Sequence, residues 1–228
     1  MKTLIIDNNI MKDSWGAPDL VAYALQTPGN AVIVRRGPEE DLPPSVVGWD
    51  RVIISGSITS ATDQAPWVLK LDAWIRAAVG QSVPLLGVCY GHQSICRALG
   101  GPGTVRKGAQ PEYGWTRIQV LKAAPLFTGL PPVFFSYSSH QDEVASLPPG
   151  FSLLASSKRC VNQAFRMDGK PVFGVQFHPE RSLEAGEAAL KKRRAEGKEI
   201  LEEGRGSEVF QPEVAATIFG TFLRGEWQ

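Results

Sequence analysis

Within Leu85-Leu86-Gly87-Val88-Cys89-Tyr90-Gly91-His92-Gln93, an apolar, strand-like run leads straight into a cysteine. Glycine stands two residues to either side of it, and helix-compatible residues follow. This is the cysteine counterpart of the G-x-S-x-G turn that lifts a nucleophile above the edge of a sheet. Glycines at 87 and 91 permit a strand-to-helix turn that larger side chains would obstruct. A sulfur at a helix N-terminus also meets the partial positive charge that favours thiolate. Most single cysteines are inert, buried side chains. The paired glycines and the preceding apolar run set Cys89 apart from that reading, and Cys96 and Cys160 have no such setting.

A thiolate nucleophile needs a proton carrier. The chain has three histidines, His92, His140 and His178. His178 closes the apolar run Pro171–Phe177, and Pro179 stops the strand there. Glu180 follows two residues past the histidine, where a carboxylate can accept one imidazole N–H, fix the tautomer and raise basicity. A lone histidine at a strand end is ordinarily structural. Beside the Cys89 turn, His178 and Glu180 read instead as the base and its orienting group. His92 reads as packing against the body of the domain, and His140 as a structural hydrogen-bonder.

Gly87-Val88-Cys89-Tyr90-Gly91-His92-Gln93 and Phe177-His178-Pro179-Glu180, in that order, resemble the two signatures of the triad-type (class I) glutamine amidotransferases. The likeness is nearest to the glutaminase domain of GMP synthase and its free-standing relatives, and it runs from residue 2 to about residue 181. The resemblance implies a flavodoxin-like α/β fold and a Cys89–His178–Glu180 triad that hydrolyses the side-chain amide of glutamine. It implies an oxyanion hole of backbone N–H groups at Gly56–Ser57 and at Tyr90. In that loop Ser57 replaces the family's second glycine and Ile58 its proline. The segment Tyr137–Val144 resembles the loop that grips the α-amino and α-carboxylate groups, so Ser139, Gln141 and Asp142 become substrate-binding candidates. Most relatives have glycine where Gln141 stands. Gln93, one helical turn past Cys89, can point into the same cleft. Glu112, Gly114 and Trp115 match a Glu-x-Gly-Trp pattern to which we assign a scaffold role. The chemistry requires no metal and no organic cofactor. It releases ammonia, which implies a separate synthase or synthetase subunit to receive it.

The elements that must position these residues follow from periodicity. Leu4–Ile6, Ala31–Val34, Val52–Ile54 and Pro84–Val88 are short apolar runs suited to strands buried on both faces. Pro18–Gln26 and Pro66–Val79 are predicted helices, the second with Trp67, Leu71, Trp74, Ile75 and Ala78 on its core face. This alternation predicts a doubly wound, mostly parallel sheet. Strand-like runs at Ile118–Leu121, Val133–Tyr137, Ser152–Ala155, Val161–Phe165 and Val172–Phe177, separated by Pro- and Gly-containing turns, form a half expected to add antiparallel strands to the sheet and to return His178 to Cys89. The highly charged Leu183–Gly204 is predicted as an exposed helix, part of a charged extension over about 182–208. Pro212–Leu223 is predicted as a final amphipathic helix.

The 228 residues, 43% hydrophobic and 21% charged, suffice for one compact enzyme domain over residues 1–228. A formal net charge of +1 gives no footing for a nucleic-acid or acidic-membrane partner. Three cysteines without paired spacing argue against a disulfide framework or zinc site and suit a reducing, cytoplasmic setting. The first apolar run is too short for a signal peptide, and no stretch approaches a membrane span. No G-x-x-x-x-G-K-[ST] phosphate loop is present, so any ATP-driven acceptor step would belong to another polypeptide. Two other readings stay open: a γ-glutamyl amide or peptide hydrolase using the same triad without a partner, and a non-catalytic regulatory module. The intact triad weighs against the second.

Overall fold

The computed structural model describes residues 1–12, 16–204 and 206–227. Nine strands form one sheet in the order β2-β1-β3-β4-β9-β8-β7-β5-β6. The parallel half comprises β1 (Lys2–Asp7), β2 (Ala31–Arg36), β3 (Arg51–Ile54), β4 (Leu85–Val88) and β9 (Val172–Val175). Its neighbours pair in parallel from β2 through β9, the flavodoxin-like winding in which ligands meet the carboxyl ends of the strands. Antiparallel β5 (Val105–Val120), β6 (Val133–Val144), β7 (Phe151–Ser156) and β8 (Ala164–Met167) extend the sheet beyond β9.

Strand alternation divides the core. Ile5, Ile53 and Leu86 face α1 (Ala17–Leu25) and α5 (Pro212–Arg224), whereas Leu4, Ile6, Val52, Ile54 and Leu85 face α2 (Pro66–Gly80) and α3 (Tyr90–Gly100). The predicted core face of α2 is buried throughout. A buried fork fixes α3 against α2: Arg97 donates Nε and Nη2 to the Asp72 carboxylate at 2.8–3.1 Å and Nη1 to the carbonyl of Ala61 at 2.8 Å. Among the described residues, no helix is long and apolar enough to cross a membrane.

Three expectations need correction. β5 and β6 are far longer than the apolar runs at 118–121 and 133–137. Their polar halves are held by antiparallel pairing with each other, interrupted by an irregularity between Lys107 and Glu112. Residues 138–144 are therefore strand rather than loop. The strand expected at Val161–Phe165 is Ala164–Met167 instead, because the Asp168-Gly169 turn sets the β8–β9 register at Phe165 opposite Gly174. Val161 is exposed. The predicted helix Leu183–Gly204 ends early, as α4 (Leu183–Ala195). Gly197 turns the chain at φ 64°, a left-handed conformation that glycine tolerates, and Lys198 N–H caps the Arg193 carbonyl at 3.0 Å.

α4 is a largely solvated helix whose buried residues are Gly186 and Leu190, and that thin stripe is what seats it. Leu190 packs with Trp115, Tyr137 and Val209, and Trp115 donates its indole N–H to Glu187 at 2.9 Å. Gly186 allows this approach: a Cβ there would come within 2.7 Å of the Trp115 ring.

Candidate active site

β3, β4 and β9 are adjacent, and their carboxyl ends deliver residues 55–60, Cys89 and His178 to one place. Cys89 sits between β4 and α3 with φ 50° and ψ −103°, a conformation costing about 1–3 kcal/mol for a non-glycine residue. Its own N–H donates to the Val175 carbonyl at 2.8 Å, and its carbonyl accepts from Gln93 N–H at 3.1 Å. The flanking glycines are sterically required. A Cβ on Gly87 would lie 2.5 Å from the Gly91 backbone, and one on Gly91 would collide with the Ile54 carbonyl. Tyr90 opens α3, so its N–H has no acceptor within the helix.

His178 lies just past β9, its N–H bonded to the Tyr137 carbonyl at 2.7 Å, and is almost fully buried. Nδ1 meets the Glu180 carboxylate at 2.7 Å. Glu180 thereby fixes Nδ1, and Cys89 lies close enough to the ring to act on its charge. Burial by itself would depress the imidazolium. The Glu180 carboxylate, its hydrogen bond to Nδ1 and the neighbouring Cys89 outweigh it and raise the ring from 6.5 to about 10. In contrast, burial pushes the Cys96 and Cys160 thiols upward, away from thiolate.

A cavity of about 360 Å³ opens beside Cys89. Of the residues singled out in the sequence, Ser57, Gln93, Ser139, Gln141 and Asp142 line it together with Cys89. Gly56 is buried behind the wall, and Ser57 Oγ accepts from Thr59 N–H at 3.0 Å, which shapes the loop. Asp142 is partly committed: its Oδ2 accepts from Ser60 Oγ at 2.5 Å and Ala61 N–H at 2.8 Å. Gln93 braces the site, donating to the Asp142 carbonyl at 2.7 Å and to Gln176 at 3.0 Å. Gln141 is exposed at the rim.

Glu112 and His140 form the network behind this wall. Fully buried Glu112 accepts from Ser157 and Gln163 at 2.5 Å each and pairs with His140 Nε2 at 2.9 Å. His140 also lines the cavity, and its Nδ1 contacts the Asp142 carbonyl at 3.0 Å. His92 is buried against Phe165, and desolvation together with the charge of His140 lowers it to about 3.

Residues 20–196 match the model of the family described as glutamine amidotransferase class-I. The chain belongs to this family. It is 46% identical over 132 residues to a glutamine-hydrolyzing GMP synthase subunit of Sulfolobus acidocaldarius, covering 58% of this chain and 68% of that protein. The namesake subunit of Thermococcus kodakarensis is 46% identical over 99 residues, or 43% of this chain. That match spans about half (52%) of the Thermococcus protein's length. Among solved structures, a glutamine amido transferase from Methylobacillus flagellatus superposes with a TM-score of 0.79 at 25% identity, covering 100% of this chain and 95% of that one.

Two lining residues escaped the sequence reading: Tyr113 and Arg193. Tyr113 is the unspecified position of the Glu-x-Gly-Trp pattern, which was the one local signal pointing to it. Arg193 stood among many charges on α4 with nothing to separate it from them.

Proposed function

We propose that this class I amidotransferase is a glutaminase that hydrolyses the side-chain amide of glutamine and passes the ammonia to a separate synthetase subunit. The single supporting observation is the buried Cys89–His178–Glu180 array, of which Cys89 lines a cavity from a strained strand-to-helix turn while His178 and Glu180 lie behind it. Cys89 reacts as the thiolate, with His178 as its proton carrier. The sulfur attacks the amide carbon, and the backbone N–H groups of Ser57 (with Gly56) and Tyr90 receive the oxyanion. His178 gives its proton to the departing ammonia. It then draws a proton from water, which hydrolyses the γ-glutamyl thioester to glutamate and frees the thiolate. Glu180 keeps the ring oriented throughout. Ser139, Gln141 and Asp142 hold the amino-acid end of the substrate, and Gln93 fixes the wall they belong to.

The GMP synthase relatives, whose names record glutamine hydrolysis and a division into subunits, support the separation of glutaminase from acceptor enzyme. The nine strands in one sheet support a single glutaminase domain over residues 1–228. The three free cysteines support a reducing, cytoplasmic setting. One observation favours a γ-glutamyl amide or peptide hydrolase as the second reading: Gln141 and Ser57–Ser60 border an open cavity rather than a closed slot.

A glutamine-mimicking diazoketone should label Cys89, with mass spectrometry locating the adduct, and Cys89→Ala should lose both labelling and glutamate release. An adduct on Cys96 or Cys160 would remove the assignment. Turnover of a γ-glutamyl peptide far above that of glutamine would move the conclusion to the hydrolase.

A further inference from the structure

The cavity wall includes an arginine that the mechanism above leaves unused. Arg193, near the end of α4, is half-buried and lies over the Tyr113 ring, its Cζ 3.5 Å from the ring centroid. Its Nε and Nη2 both donate to the Glu199 carbonyl, at 3.2 and 3.0 Å. A guanidinium has five N–H donors in a rigid plane, so Nη1 and the second Nη2 hydrogen remain.

Among the described residues Lys191 and Lys192 are exposed and form no ion pair, but neither lines the cavity, and three other nearby cations each have a carboxylate. Arg159 pairs with Glu199, Arg194 with Glu202 and Lys198 with Glu196. Among the described residues no carboxylate forms an ion pair with Arg193; its partners are a neutral carbonyl and an aromatic face. A planar cation oriented by stacking, lacking a carboxylate and bordering the cavity that contains Cys89 has the form of a carboxylate receptor.

We propose that Arg193 is a specificity-determining residue that pairs with a carboxylate of the γ-glutamyl substrate. The inference rests on cleavage of a γ-glutamyl amide at Cys89. The carboxylate is either the α-carboxylate of the glutamyl unit or one attached to the amine that leaves. α4 thus does more than cover the sheet: it completes the substrate site from a segment more than 100 residues past the nucleophile.

The experiment compares the Cys89→Ala protein with Cys89→Ala/Arg193→Gln, measuring ligand binding by calorimetry so that no turnover is needed. The ligands are L-glutamine, its α-carboxamide, γ-glutamylglycine and γ-glutamylglycinamide. If the α-carboxylate is the partner, Arg193→Gln weakens glutamine, γ-glutamylglycine and γ-glutamylglycinamide by about 10- to 100-fold, the range for a lost charged hydrogen bond, and spares glutamine α-carboxamide. If the leaving amine supplies the carboxylate, γ-glutamylglycine alone weakens.

Arg193→Lys should recover part of the affinity, since it keeps the charge and loses the fork. Equal weakening of all four ligands would make Arg193 a staple of the turn at Glu199 and overturn the proposal, as would unchanged affinity or no binding of any ligand. Failure of the parent reading looks different: wild-type protein would hydrolyse none of these amides even where binding depends on Arg193.

Discussion

At the scale of single residues, the site depends on where protons and partial charges sit. Replacing His178 by Asn should remove nearly all turnover. Glu180→Gln should leave a larger remnant, because it disturbs the orientation and charge of the base without removing it. Steady-state kcat for the two variants checks this, and equal rates for His178→Asn and wild type would mean that another group moves the proton. A stability effect accompanies it. The His178 ring holds its proton up to about 10 in the folded protein but only to about 6.5 in an unfolded chain. Folding therefore gains most from the charged ring below pH 6.5, and that gain is lost as pH rises through 10. The wild-type denaturant midpoint should fall over this window more steeply than that of His178→Asn; parallel slopes would remove the charged pair from the account. The oxyanion donors allow a third test. Ser57→Pro deletes a backbone N–H, and kcat should drop about 10²–10³-fold, whereas Ser57→Ala keeps that N–H, loses only the Oγ bond to Thr59 and should fall far less. Similar rates for the two would place the donor elsewhere.

At the scale of elements, two junctions decide whether the residues meet. The first is the β4–α3 turn, where Gly91 lies against the Ile54 carbonyl of β3. Gly91→Ala forces a methyl group into backbone that cannot yield without separating adjacent strands. We expect a loss of about 1–3 kcal/mol or more, read as a lower thermal midpoint, together with loss of diazoketone labelling. Retained labelling at full stability would mean that the turn has more room than its geometry allows. The second junction is the seat of α4 on β5 and β6, where Leu190 is buried against Trp115 and Tyr137. Leu190→Ala should weaken that seat by about 2–5 kcal/mol and expose Lys191–Arg194 to trypsin while the parallel half of the sheet stays intact. Cleavage elsewhere first would contradict it.

At the scale of the whole molecule, the proposed function has a consequence for rate: ammonia released at Cys89 would be useful only if it reached an acceptor before water protonated it. An isolated glutaminase of this kind should therefore turn over slowly, and a docked acceptor enzyme should raise its rate without adding a catalytic group. The loop 57–60 is suited to that control, since Ser60 and Ala61 already grip Asp142 across the cavity. A small rotation there would move an oxyanion donor and the substrate wall together. Rates measured with and without the acceptor enzyme test this. Full glutaminase activity in the isolated chain, unchanged by the acceptor, would leave the coupling without support.

The sequence alone determined the features that depend on neighbouring residues. Apolar runs specified the parallel strands β1, β3 and β4 because a strand buried on both faces needs apolar side chains throughout, whereas β2, expected to be buried likewise, is the edge strand and has no buried residue. Glycines at 87 and 91 specified the turn at Cys89 because it excludes a Cβ at each position. The two-residue spacing of His178 and Glu180 brought the imidazole and carboxylate into contact. Tertiary structure decided what rests on distant pairings. The polar halves of β5 and β6 have no apolar alternation and are strands only because each pairs with the other. Asp142 meets Ser60 across 82 residues of chain. Arg193 comes to lie over Tyr113 only after Gly186 lets α4 close on Trp115 and Gly197 returns the chain to β5. Such contacts depend on where whole elements cross, and no short-range pattern of residue types encodes that crossing.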